Sequence, residues 1–488
     1  MTKINSTSAE QPEEQSKEQL KELTNAQSKE QITGQAGSQP AENKMGVMPI
    51  PKLLFNMAIP MVISMLLQAL YNIVDSAFVG MYSSEALEAV SIAFPIQNLM
   101  IAVATGTGVG INAMLSRHLG EKKQEAANTT ANTGIFLAIC SYVVFAVIGL
   151  TIMYPYYSMQ SDIHEVIVYG EEYLSIITVC GFGIFGEIVC ERLLQATGRT
   201  FYSMITQGTG AILNIILDPI LIFGYCGMPR LGVAGAAIAT VIGQCVACVL
   251  AIYFNIKVNK DIALSFKKIM KPKLSEIAKI YEVGIPSIIM ASITSFLTVG
   301  MNLILKKFSE DAITVFGVYF KLNSFIFMPV FGLNNGLVPI LSYNYGARKK
   351  DRIHKAIRLG MGCAVCYMLI GLVIFQTIPG NLLGIFSAND GVMSIGITAL
   401  RIISLSFIFA GVGIVGSTVF QAIGNPFHSL LMSVLRQLVI ILPAAYLLSL
   451  TGSVDAVWWS YPIAEVFSFM LCLIFLRRTF KKLKKNLG

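Results

Sequence analysis

The sequence predicts an all-α polytopic membrane protein whose twelve transmembrane helices form two six-helix lobes related by a parallel internal repeat. Three observations carry that expectation. Of the 488 residues, 54% are hydrophobic and only 13% are charged, with a mean hydropathy of +0.65, which excludes a soluble globular chain of this length. The apolar residues gather into twelve stretches long enough to cross a bilayer, which takes about 20 residues. The chain also repeats itself: Ile59-Pro60 recurs as Ile285-Pro286, Leu115-Ser116 with Gly120 as Leu341-Ser342 with Gly346, Gln195-Ala196 with Gly198 as Gln421-Ala422 with Gly424, and Phe201 with Ser203 as Phe427 with Ser429, each 226 residues on. Six is an even number of crossings, so the second copy inserts in the orientation of the first.

In order, residues 1–45 are rich in Glu, Gln, Ser, Lys and Thr, lack aromatics, and are expected to be a disordered polar tail. The tail holds no apolar signal core, so the first membrane helix is expected to act as its own uncleaved signal. The N-lobe, residues 46–256, carries apolar stretches at 54–80, 87–113, 131–153, 172–196, 201–223 and 231–256. Residues 257–280 are Lys-rich and read as a cytoplasmic linker. The C-lobe, residues 281–476, carries stretches at 283–305, 312–340, 356–379, 397–422, 429–450 and 454–476, and residues 477–488 form a basic tail.

The loops set the orientation. Arg117, Lys122 and Lys123 follow the second stretch, the linker lysines the sixth, Arg348 to Lys355 the eighth, and Arg477 to Lys485 the twelfth. Alternating crossings put all of these on one side, and the excess of Lys and Arg marks it as the cytoplasm, with both termini there. Lys306 and Lys307 lie on the other side, offset by Glu310 and Asp311. The expected location is the cell membrane.

The net charge of +8 is used up in these topogenic clusters, so no nucleic-acid-binding face is implied. Cys245/Cys248 and Cys363/Cys366 have CxxC spacing but sit inside apolar helical runs, and the four histidines are scattered. A metal or thioredoxin site is not expected, nor is an enzyme. Gly181-Phe-Gly183-Ile-Phe-Gly186 matches a dinucleotide-binding pattern but follows no strand, and reads as close helix packing.

The chemistry centres on Leu213 to Gly224, where Asp218 sits inside an apolar run. A charge near a bilayer centre costs about 2.5 to 3.5 kcal/mol even on the lenient insertion scale, so such an acid faces a bundle interior or a wet cavity. Pro219 removes a backbone donor and disfavours helical geometry at Asp218, which predicts a bent or loosened helix beside the carboxylate. Asn214 lies one turn away on the same face. Asp75 in the first stretch and Thr240 in the sixth fall at comparable depth. Two carboxylates, an amide and a hydroxyl are hard ligands suited to sodium, and paired carboxylates also suit proton carriage. Asp75, close to its helix end, has the alternative of snorkelling to headgroups.

The repeat does not extend to these acids, because the positions 226 beyond Asp75 and Asp218 are Met301 and Ala444. The C-lobe instead carries Lys321, Arg436 and Glu465, and depth counting suggests a buried Lys321–Glu465 pair or a role in recognising a cationic substrate. Glu187 and Glu191 share a face of the fourth stretch, with Glu187 a candidate cavity acid.

Together, the two lobes, Asp75 and the Leu-Asn-Ile-Ile-Leu-Asp-Pro string resemble the multidrug and toxic compound extrusion (MATE) family from about residue 50 onward. The resemblance implies a V-shaped pair of lobes in the lipid bilayer and a cation-driven antiporter exporting chemically diverse organic cations, expected to act as a monomer. It implies that Asp75, Asn214, Asp218 and Thr240 bind the coupling ion, proton or sodium, with no other cofactor or metal. The C-lobe acids that another subgroup of the family uses on helices seven and ten are missing here. The alternative within the wider superfamily is a flippase for a lipid-linked precursor, which would be expected to offer several central cationic residues where this N-lobe offers acids.

Overall fold

The computed structural model describes residues 43–386 and 389–487, so the polar tail expected over residues 1–45 lies, but for its last three residues, outside them. Every regular element among the described residues is helical. Ten helices are long and apolar enough to cross a membrane, and two further pairs, bent by 44° and 51°, complete twelve spans. They are α1 (Ile50–Tyr82), α2 (Ser84–Gly120), α3 (Gln124–Thr151), α4 (His164–Val179 continued by Phe182–Ala196), α5 (Thr200–Phe223) and α6 (Val233–Lys257). The second lobe follows with α7 (Leu274–Leu305), α8 (Glu310–Gly346), α9 (Lys350–Thr377), α10 (Asp390–Ser404 continued by Phe407–Ile423), α11 (Pro426–Ser449) and α12 (Val454–Trp458 continued by Ser460–Leu487). α11 is π-helical over Leu435–Ile441. Each apolar stretch in the sequence coincides with one span, and large apolar side chains such as Phe55, Val144, Leu150, Val249 and Leu303 point outward, where lipid would solvate them.

The duplication reaches individual caps and turns. Ser83 accepts from the Ala86 amide at 3.0 Å to cap α2, and Ser309 accepts from the Ala312 amide at 3.1 Å to cap α8. Ser116 donates to the Ala196 carbonyl at 3.0 Å, and Ser342 to that of Ala422 at 3.1 Å. Lys122 and Arg348 both hold positive φ, at 58° and 56°, and Gly198 and Gly424 share φ 84°. Positive φ is uncommon for a long side chain, so its recurrence at equivalent turns marks one backbone used twice.

The lobes, α1–α6 and α7–α12, join at the end of the molecule that carries the Arg117–Lys123 and Arg348–Lys355 turns, here called the basic face. Glycines let backbones touch there. A Cβ on Gly110 would collide with the Ile280 carbonyl of α7, and one on Gly336 would lie 2.9 Å from the Ala58 backbone of α1. Residues 43–48 fill the junction. Asn43 donates to the Thr197 carbonyl at 3.1 Å, while Asn344 and Arg352 from the other lobe donate to the Met45 carbonyl at 3.1 and 3.0 Å. Toward the opposite face the lobes part, leaving Asn72, Ile73 and Ser76 of α1 and Thr314 and Gly317 of α8 exposed.

Candidate functional site

Asp218 is fully buried at 0% exposure, well along α5, with Asn214 one turn back and Thr240 on the neighbouring α6 also buried. With its amide oriented to satisfy both neighbours, Asn214 donates to Asp218 Oδ2 at 3.0 Å and accepts from the Thr240 hydroxyl and backbone N–H, both at 3.1 Å. The structure thus brings together three of the residues singled out in the sequence. α5 runs unbroken through Pro219, so the loosening expected there is limited to the one hydrogen bond that proline cannot donate to the Ile215 carbonyl.

Asp75, from α1, lies within electrostatic reach of Asp218. Its Oδ1 is buried and has no hydrogen-bond partner among the described residues. A buried carboxylate oxygen without a partner is costly unless a proton, a cation or water completes it. The space around it is lined by residues that the sequence reading missed. Tyr71, one turn before Asp75, rests against the Thr240 side chain and within reach of Asp75, Asp218 and Glu187. Tyr173 of α4 lies within reach of Asp75 and Tyr71, and its hydroxyl accepts from Gln97 Nε2 at 3.2 Å. Tyr71 was discoverable, because its spacing of four from Asp75 puts both on one face. Tyr173 carried no such signal.

Glu187 sits half-buried on the second arm of α4, below this cluster and near Glu191. Glu191 is buried and accepts from Thr206 of α5 at 2.8 Å. Arg192 donates to Gln195 and to Asn335 of α8, both at 2.9 Å.

In the C-lobe the positions equivalent to Asp75 and Asp218 are apolar, and Met301 is fully buried. The charge pair differs from the one expected. Glu465 of α12 accepts from Arg436 of α11 at 2.9 Å, and Lys321 is not its partner. Lys321 is exposed on α8 with its ammonium 5.9 Å from the centre of the Phe386 ring. Depth counting gave axial position but not azimuth, and it is azimuth that aims Arg436, not Lys321, at Glu465.

The site is therefore a pair of carboxylates with an amide, a hydroxyl and two phenols, all in one lobe. Among the described residues no three His, Cys, Asp or Glu side chains converge as a metal cluster. A buried acid site inside one of two repeated six-helix lobes, beside a gap that opens to one face, defines a membrane transporter of the two-lobed class.

The comparisons narrow the class. The MatE family model matches residues 60–220 and again 286–447, and the chain belongs to this family of MATE transporters. It is similar to the Multidrug export protein MepA of Staphylococcus aureus (strain MRSA252), 28% identical over 421 residues, covering 86% of this chain and 91% of that protein. MepA of Staphylococcus haemolyticus (strain JCSC1435) is 26% identical over 423 residues, covering 86% and 92%. Among solved structures, an outward-facing conformation of a multidrug resistance MATE family transporter of the MOP superfamily superposes with a TM-score of 0.86 at 24% identity, covering 91% of this chain and 99% of that one.

Proposed function

We propose that this protein is a cation-coupled antiporter that exports diverse, mostly cationic organic compounds across the cell membrane, with the basic face in the cytoplasm. The observation that carries the reading is the unpartnered, buried Oδ1 of Asp75 within reach of Asp218, whose own neighbour Asn214 is held by Thr240. One cation, proton or sodium, offsets the repulsion of two carboxylates there and lets the surrounding helices pack more closely. Loading the site changes the stability of one lobe arrangement relative to the other, and a drug that prefers the ion-free arrangement weakens ion binding by the same factor that the ion weakens drug binding. The transmembrane potential supplies about 2.3 kcal/mol per charge per 100 mV to this exchange. The names of the MepA relatives support multidrug compounds as the cargo.

The test is Asp218→Asn in proteoliposomes under an imposed proton or sodium gradient. The variant keeps the shape and removes the titratable charge, so it should fold and insert yet fail to concentrate a fluorescent organic cation against its gradient. Uphill transport at the wild-type rate would make Asp218 structural and the coupling scheme wrong. Imposing one gradient at a time identifies the ion.

A further inference from the structure

Lys321 stands on α8 where the two lobes have parted. Below it, Gly336 and Gly332 lie so close to α1 that an added Cβ would meet backbone at Ala58 at 2.9 Å and at Val62 at 2.7 Å. These contacts fix a register between two antiparallel helices, in which four residues forward on α1 match four residues back on α8. Carried upward, the register sets Lys321 level with Ile73, less than one turn below Asp75. They also fix a direction. Lys321 precedes Gly332 by three helical turns on a helix unbroken through Pro329, so it points toward the α1 side as Gly332 does. Higher on that stripe a Cβ added to Gly317 would meet nothing within 4 Å, and Thr314 is exposed. Across the gap, Asn72, Ile73 and Ser76 of α1 are exposed as well.

The Lys321 position therefore faces the space between the lobes at the depth of the acid cluster, with its ammonium 5.9 Å from the centre of the Phe386 ring. Among the described residues it forms no ion pair, and Glu465, the carboxylate at matching depth in its own lobe, is held by Arg436. The gap is thus polarised, with acids behind one wall and, on the other, a lysine that no carboxylate pairs among the described residues. A purely cationic compound gains from the acids and loses to the lysine. A compound with a cationic and an anionic end gains from both.

We propose that Lys321 is a substrate-contacting residue that takes the carboxylate of zwitterionic organic substrates, whose cationic end faces the acid-bearing N-lobe. The inference rests on the export reading and deepens it by naming a substrate class. Lys321 then acts as a specificity determinant, tightening zwitterions and weakening simple cations.

The test uses the purified full chain and two dyes that share one cationic ring system, tetramethylrhodamine methyl ester and tetramethylrhodamine free acid. Binding is read by fluorescence anisotropy at one pH and one salt concentration, with melting temperature as the folding control. Wild type should bind both dyes. Lys321→Met should lose roughly tenfold in affinity for the free acid, the size of a charge-assisted contact, while the ester binds as well or better. Lys321→Arg should keep the free acid, and Lys321→Glu should reverse the preference toward the ester. Equal changes for both dyes in Lys321→Met and Lys321→Glu, or an unchanged free-acid affinity, would overturn the assignment alone. If wild type binds neither dye, the export reading falls and this assignment falls with it.

Discussion

Arg192 of α4 donates to the Asn335 side chain of α8 at 2.9 Å, a hydrogen bond that crosses from one lobe to the other. The residue before it, Glu191, accepts from Thr206 of α5 at 2.8 Å, and α5 is the helix that carries Asp218. A buried polar chain thus runs from the acid-bearing helix to the seam between the lobes.

Asn335→Ala should loosen that seam. It removes a bond to a charged group, worth about 1.5 to 3 kcal/mol, only in the arrangement closed at the basic face. Hydrogen-exchange mass spectrometry should find faster exchange in residues 43–48 and at the base of α8. Unchanged protection of both segments would show that the Arg192–Asn335 contact does not hold the lobes together.

The Arg436–Glu465 pair predicts a non-additive double mutant. Removing one partner leaves a buried charge exposed to its full desolvation cost, whereas removing both does not. Arg436→Met and Glu465→Gln should each lower the melting temperature by several degrees, and the double variant by less than their sum. Lys321→Met combined with Glu465→Gln should be additive, since these two residues are not partners.

Tyr71→Phe keeps the ring and deletes only the hydroxyl, which reaches the Thr240 side chain and lies near Asp75 and Asp218. Gradient-driven transport should fall about three- to tenfold, the size of one lost hydrogen bond, without the complete loss expected of Asp218→Asn. A rate equal to wild type would leave Tyr71 as packing alone.

Deleting residues 2–42 should leave expression and melting temperature near wild type, because that composition has little apolar surface to bury. Extending the deletion through Met48 should lower the melting temperature by several degrees. It removes Met45, which is fully buried, together with the carbonyls that Asn344, Lys349 and Arg352 bind. Equal stability of the two truncations would mean that residues 43–48 only rest on the junction.

Asp218, Asn214 and Thr240 were legible in the sequence because a polar residue inside a lipid-length apolar run needs a partner, and helical spacing says which face it takes. The repeat was legible because its turns require unusual backbone, and Gly198 and Gly424 record that requirement at one spacing. Tyr173 and Gln97 were not legible, since an aromatic or an amide in a membrane helix is ordinarily packing. The partner of Glu465 was missed for a different reason. Residue counting measures depth along a helix, while pairing depends on rotation about it, and composition leaves no mark of which of Lys321 and Arg436 faces Glu465.

Under the proposed exchange between two lobe arrangements, the glycines at the seam bear on how fast the lobes can trade places. At Gly106, Gly110, Gly332 and Gly336 the lobes meet backbone to backbone, so the seam there lacks the long knobs in sockets that interlock most helix pairs. Parting such surfaces does not require each side chain to leave a fitted hole before the next can move, and lipid tails wet the bared faces as readily as the protein did. The activation barrier for rocking then resides mainly in the polar crossings, among them Arg192 to Asn335, Asn98 to Ser295, Thr130 to Glu276, and the bonds that Asn344 and Arg352 make to residues 43–48. Turnover rate becomes a property that a handful of side chains can tune while the static fold stays unchanged.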